Sequence, residues 1–187
     1  MLEIYKQILN SNQTSKNKII ENLKSISSNI IIFTENLYSK NEYIRKLFNA
    51  KYFQGIFCKI YFFNAYSFYA ENNFINSLKK INEFNEISKK YEINNKFLFI
   101  NIIKLKADVF FKLEQYKDAI IEYHSAVNFV KEKGNVLFNM GISYIMLKQI
   151  KSAKELLEMA SEKFKLENNS QMITRVKIIL NNLDSSN

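Results

Sequence analysis

The chain predicts an all-α fold built of helical hairpins, and three observations carry that expectation. First, its 187 residues include no proline and only three glycines, Gly55, Gly134 and Gly141. β-Hairpins and phosphate-cradling loops depend on those two residue types, whereas helices need neither in quantity. Second, LEQYKDA at 113–119 returns as LKQIKSA at 147–153, an interval of 34 residues. Third, small residues recur at that interval: Ala107 with Gly141, Ala119 with Ala153, Ala126 with Ala160. Helix axes approach to about 8–10 Å according to the bulk between them, so small side chains in register mark crossings. Apolar residues make up 47% and aromatics 14%, enough for one domain with a real core.

Taken from the N-terminus, residues 1–57 read as a helical segment and a degenerate repeat. Leu2 to Leu9 predicts a short helix stopped by the polar cluster Ser11 to Ser15, and within 24–57 only Leu47 and Ala50 fall in phase with the later pattern. Residues 58–91 form a divergent unit, with Ala65, Phe68, Ser77, Ile81 and Phe84 in the telling places. Residues 92–99 are an insert, read as lengthened helices around an Asn94-Asn95 break. In 100–133, Ile103, Ala107 and Phe110 line one helical face, and Ala119, Ile120, Tyr123, Ala126 and Val127 line the next. In 134–167 the stripes are Leu137, Gly141 and Tyr144, then Ala153, Leu156, Leu157 and Ala160. Gly141 inside a helix costs about 1 kcal/mol relative to alanine, so close packing is expected to offset it. Residues 168–187 hold a last amphipathic helix, with Met172, Val176 and Ile179 or Leu180 on one face, capping the open end, and a tail.

Ala107 with Phe110 and Gly141 with Tyr144 place a small residue and an aromatic three apart in each first helix. Ala119 and Ala153, then Tyr123 and Leu157, then Ala126 and Ala160 complete the second helices. This pattern resembles the tetratricopeptide repeat, a 34-residue helix–turn–helix unit, over residues 100–167. It departs from that family in lacking tryptophan, in Lys106 where leucine is usual, and in having no closing proline. The resemblance implies a right-handed stack of antiparallel hairpins, an α-solenoid whose first helices line a concave groove. The groove residues it implies are Phe62, Tyr66 and Tyr69 from 58–91; Lys104, Asp108, Phe111 and Lys112 from 100–133; and Asn135, Phe138, Ile142 and Ile145 from 134–167. The competing expectation is that the final helix and the N-terminal segment cover these residues as ordinary core. Lys104 and Asn139 fall where some family members clamp a terminal carboxylate, but Asp108 stands where an asparagine is needed and would repel it.

Catalytic chemistry finds little to work with. His124 is the only histidine and Cys58 the only cysteine, and they fall in different units. A metal site or nucleophile pair needs more, so no catalytic residue, metal or cofactor is expected. Cys58 lies in the apolar run GIFCKIYFF and reads as a buried, inert thiol. No signal peptide is recognisable, and the uncharged run Ile60 to Ala70 is shorter than the roughly 20 residues a membrane helix needs, so a cytoplasmic protein without a membrane span is expected. Of the 27 basic residues behind the net charge of +9, only Arg45 and Arg175 are arginine, the side chain nucleic-acid readers favour. The expected function is therefore a protein–protein adaptor or scaffold holding a peptide or helix with apolar anchors, and an acidic flank beside Lys104 and Lys112. Self-assembly into a homo-oligomer or larger complex is the alternative, and nucleic-acid binding through the charge is the second.

Overall fold

The computed structural model describes residues 13–40, 51–90, 96–131 and 133–185. They form eight α-helices and no strand: α1 Gln13–Lys40, α2 Lys51–Ala70, α3 Phe74–Lys90, α4 Lys96–Lys112, α5 Tyr116–Ala126, α6 Lys133–Met146, α7 Ile150–Leu166 and α8 Ser170–Ser185. The chain divides into two compact units, residues 1–99 and 100–187. The short helix expected at Leu2 to Leu9, the in-phase residues Leu47 and Ala50, and the Asn94-Asn95 break lie outside the described residues.

Four of the inter-helix turns share one backbone. Asn72, Glu114, Lys148 and Asn168 each take positive φ, at 59°, 61°, 60° and 54°. After α4, the Glu114 N–H donates to the Phe111 carbonyl at 3.2 Å and the Gln115 N–H to the Phe110 carbonyl at 2.9 Å. The corresponding pairs are Asn72 to Tyr69 with Asn73 to Phe68, Lys148 to Ile145 with Gln149 to Tyr144, and Asn168 to Lys165 with Asn169 to Phe164. This is the Schellman closure, which satisfies the carbonyls a helix end leaves bare. The residue after each positive φ already opens the next helix: Gln115 and Gln149 accept from Ala119 and Ala153. Where that residue is asparagine it adds a side-chain cap, Asn73 Oδ1 accepting from the Asn76 N–H and Asn169 Oδ1 from the Met172 N–H. Glycine normally fills the left-handed position, so Glu114 and Lys148 occupy it at a cost.

In the unit of residues 100–187, antiparallel packing follows from which residues meet. A Cβ added at Gly134, at the start of α6, would lie 2.7 Å from the Phe164 ring near the end of α7. One added at Gly141, farther along α6, would lie 2.8 Å from Leu157 Cγ, nearer the start of α7. The six small residues at 34-residue spacing are all buried, as close crossings require. Ala107, Ala119, Tyr123, Ala126, Val136 and Met140 form one cluster across α4, α5 and α6. Leu137, Phe138, Leu157, Ala160, Phe164 and Val176 form a second across α6, α7 and α8.

In the unit of residues 1–99, α2 and α3 meet where Ser77 Oγ donates to the Ala65 carbonyl at 2.9 Å, both residues fully buried. Tyr61 and Phe84 meet farther from the turn, with ring centroids 6.1 Å apart. The sequence boundary at 58 falls inside α2, and that at 100 falls inside α4 where the two compact units divide. No proline interrupts either stretch, so each helix begins before its repeat signature does. Of the degenerate pair expected in 24–57, residues 41–50 lie outside the described residues, and α1 runs through residue 24 without a break. It starts at Gln13, within the polar cluster expected to end a helix. Serine, threonine and asparagine suit helix starts as well as stops.

Candidate interaction surface

On α2 the expected residues come together as a ladder. Phe62 stacks on Tyr66 with centroids 6.0 Å apart and planes at 19°, and Tyr66 meets Tyr69 at 6.1 Å. Tyr69 continues to Phe74 at the head of α3, at 5.7 Å. Four- and three-residue steps on a helix put side chains one above another, which is why 62, 66 and 69 align. All four rings are half-buried, keeping aromatic surface in reach of solvent. The opposite side of α2 docks on α1. Fully buried Asn64 donates from Nδ2 to Ser27 Oγ and to Ser28 Oγ, both at 2.9 Å, and Lys24 pairs with Glu71 at 2.7 Å while lying over the Phe68 ring. The role of Asn64 was missed in sequence, although an asparagine between two aromatics and an alanine is the signal for it.

On α4 the expected residues do something else. Lys104 Nζ donates to Asp108 Oδ2 at 2.9 Å, and Asp108 Oδ1 accepts from the Tyr123 hydroxyl at 2.7 Å. That hydroxyl accepts in turn from Asn139 Nδ2 at 3.0 Å, so one chain of polar contacts ties α4, α5 and α6 together. Lys104 thus forms an ion pair with its neighbour on the same helix while its side chain stays partly exposed. Phe111 sets its edge against Tyr116 at 6.0 Å, while Lys112 and Asn135 are exposed.

On α6 the expected apolar residues meet other helices. Phe138 is only 6% exposed, with Phe164 at 6.5 Å and the Arg175 guanidinium over its ring at 5.1 Å. Ile142 and Ile145 pack against the same cluster, together with Met172, Ile173 and Ile179 of α8. The physical reason is that α8 needs a partner for its apolar stripe, and Val176, fully buried, finds it here. Phe138 is buried there, and Ile142 and Ile145 are half-buried beside it.

His124 is exposed on α5, and the Cys58 side chain lies outside the described residues. Among the described residues no group of three or more His, Cys, Asp or Glu is placed to hold a metal ion, and no helix is long and apolar enough to cross a membrane. No protein-family model matches this chain, and no curated protein matches it.

Proposed function

We propose that the chain is an adaptor of the tetratricopeptide-repeat kind, a right-handed α-solenoid that binds a protein segment in the cytoplasm and performs no catalysis. The 34-residue echo, the buried small residues at that spacing and the shared turn geometry support the architectural part. The observation that carries the binding part is the half-buried ladder of Phe62, Tyr66 and Tyr69. Aromatic rings bring large contact area at small entropic cost, and they dominate the energetics of protein interfaces. The partner is a peptide or helix with apolar anchors. Its acidic flank, if it has one, falls to Lys112 rather than Lys104.

Charge-driven binding to nucleic acid is the weaker reading. Among the described residues six lysines, at 24, 80, 104, 106, 154 and 165, sit in ion pairs with carboxylates of the same chain. Affinity purification from the native organism, with wild type and with Phe62→Ala combined with Tyr66→Ala, tests the proposal. The double variant is expected to lose the captured protein while keeping its helical circular dichroism, and raised salt is expected to leave wild-type capture intact. Recovery of the same protein by both chains overturns the ladder. Binding that falls steeply with salt favours phosphate contacts instead.

A further inference from the structure

Between α7 and α8 lies a hollow of about 580 Å³, lined by Glu155, Glu158, Met159, Ser161 and Glu162 of α7 and by Leu180 of α8. All six belong to the unit of residues 100–187. Steps of three and four residues align the three carboxylates on one face of α7, about 10 Å from first to last at 1.5 Å per residue. Like charges at those spacings repel one another. In a chain with 27 basic residues, the lining among the described residues holds three glutamates and no lysine or arginine. Lys154, four residues before Glu158, is drawn away to Asp184 of α8 at 2.6 Å. Lys151, four before Glu155, is exposed, and Glu155 and Glu158 enter no ion pair. Glu162 pairs with Lys165, but both are exposed, and a surface pair of that kind yields to a competing cation at small cost.

A second observation points into the same hollow. Ser161 is 9% exposed, yet its hydroxyl has no hydrogen-bond partner in the chain. The five other buried serines among the described residues, at 27, 67, 77, 88 and 143, each donate to a main-chain carbonyl. A buried hydroxyl left unpaired costs free energy, so a ligand that pairs with it gains. The carboxylates do not converge on a point, since among the described residues no group of three or more His, Cys, Asp or Glu is placed to hold a metal ion. The fitting cation therefore has its charge spread along the groove. Met159, 52% exposed, and half-buried Leu180 add apolar surface beside that charge. A guanidinium meets both demands: its planar fork pairs with carboxylates, its weakly hydrated face lies on carbon, and a donor is left for the serine oxygen. The compact, strongly hydrated ammonium of lysine suits such a floor less. The chain itself has two arginines, Arg45 and Arg175, and Arg175 already lies over the Phe138 ring.

We propose that the hollow between α7 and α8 binds a basic, arginine-bearing segment of a partner protein. Glu155 and Glu158 pair with its guanidinium groups, and the Ser161 hydroxyl accepts from one of them. The aromatic ladder lies in the other unit, so either proposal can fail without the other. Fluorescence anisotropy on the full chain with labelled hexa-arginine and hexa-lysine peptides tests it. Wild type is expected to bind hexa-arginine about fivefold tighter than hexa-lysine. Glu155→Gln combined with Glu158→Gln is expected to weaken hexa-arginine binding roughly tenfold. Glu21→Gln combined with Glu86→Gln makes the same change in net charge on exposed residues of the other unit, and is expected to leave binding within about twofold. Ser161→Ala is expected to weaken binding about threefold with a melting temperature no lower than wild type, because its hydroxyl has no partner to lose in the free chain. Equal affinity for the two peptides overturns the proposal, as does equal weakening by the two glutamate pairs or unchanged binding by Ser161→Ala. Displacement of hexa-arginine by spermidine at equal concentration overturns it in favour of a small polyamine. Self-association of wild type that the Glu155→Gln, Glu158→Gln variant abolishes overturns it in favour of a second copy.

Discussion

Replacing Gly141 by alanine asks whether α6 and α7 really meet backbone to side chain. The new Cβ would lie 2.8 Å from Leu157 Cγ, 3.0 Å from Leu157 Cδ2 and 3.4 Å from the Ala153 carbonyl oxygen. Leu157 is fully buried, so it has nowhere cheap to go. Overpacking of this kind costs about 2 kcal/mol, while exchanging a mid-helix glycine for alanine returns about 1 kcal/mol of helix propensity. The net expectation is a loss of about 1 kcal/mol, a fall in melting temperature of about 2–4 °C for a chain this size. Gly141→Leu brings three further carbons into the same space and is expected to cost about 3 kcal/mol or more. The decisive measurement is a double-mutant cycle by urea denaturation. Leu157→Ala alone should cost about 2–5 kcal/mol, and it removes both close atoms. In that background Gly141→Ala should change sign and stabilise by about 1 kcal/mol, a coupling of about 2 kcal/mol. An equal loss in both backgrounds, or a gain in the wild-type background, refutes the close approach.

Three further outcomes are expected. Lys148→Gly and Glu114→Gly should each stabilise by about 0.5–1 kcal/mol, because glycine takes positive φ without strain while the turn bonds stay. Asn72→Gly should gain less, since asparagine already tolerates that conformation, and equal melts for all three would contradict the argument. Tyr123→Phe should cost about 1–2 kcal/mol in urea melts, because it strips Asp108 Oδ1 and Asn139 Nδ2 of a shared partner; an unchanged midpoint would mean the contact contributes nothing. Phe138→Ala should lower stability by about 3 kcal/mol, since the ring packs with Phe164 and lies in one cluster with Val176; an unchanged melt with lost partner capture would return Phe138 to an open surface.

The sequence by itself determined the helical class and the phase of the hairpins between residues 100 and 167. Those depend on local spacing and on small residues at the crossings, and both are written in residue types: Ala119 and Ala153 are buried as their spacing required. It also brought Phe62, Tyr66 and Tyr69 onto one face, because a helix aligns such steps whatever surrounds it. Only tertiary structure decided which apolar faces stay open. Phe138 has the same spacing whether it lines a groove or a core, and the choice was made by α8, more than 30 residues later in the chain. Lys104 pairs with Asp108 on its own helix, but only the fold ties Asp108 onward to Tyr123 and, through it, to Asn139 on two other helices. Glu114 and Lys148 carry no signature of positive φ, since neither residue prefers it; the packing of the hairpin imposes the turn, and the side chain tolerates it. Periodicity states that a helix has an apolar stripe, and burial is settled by whichever element arrives to cover it.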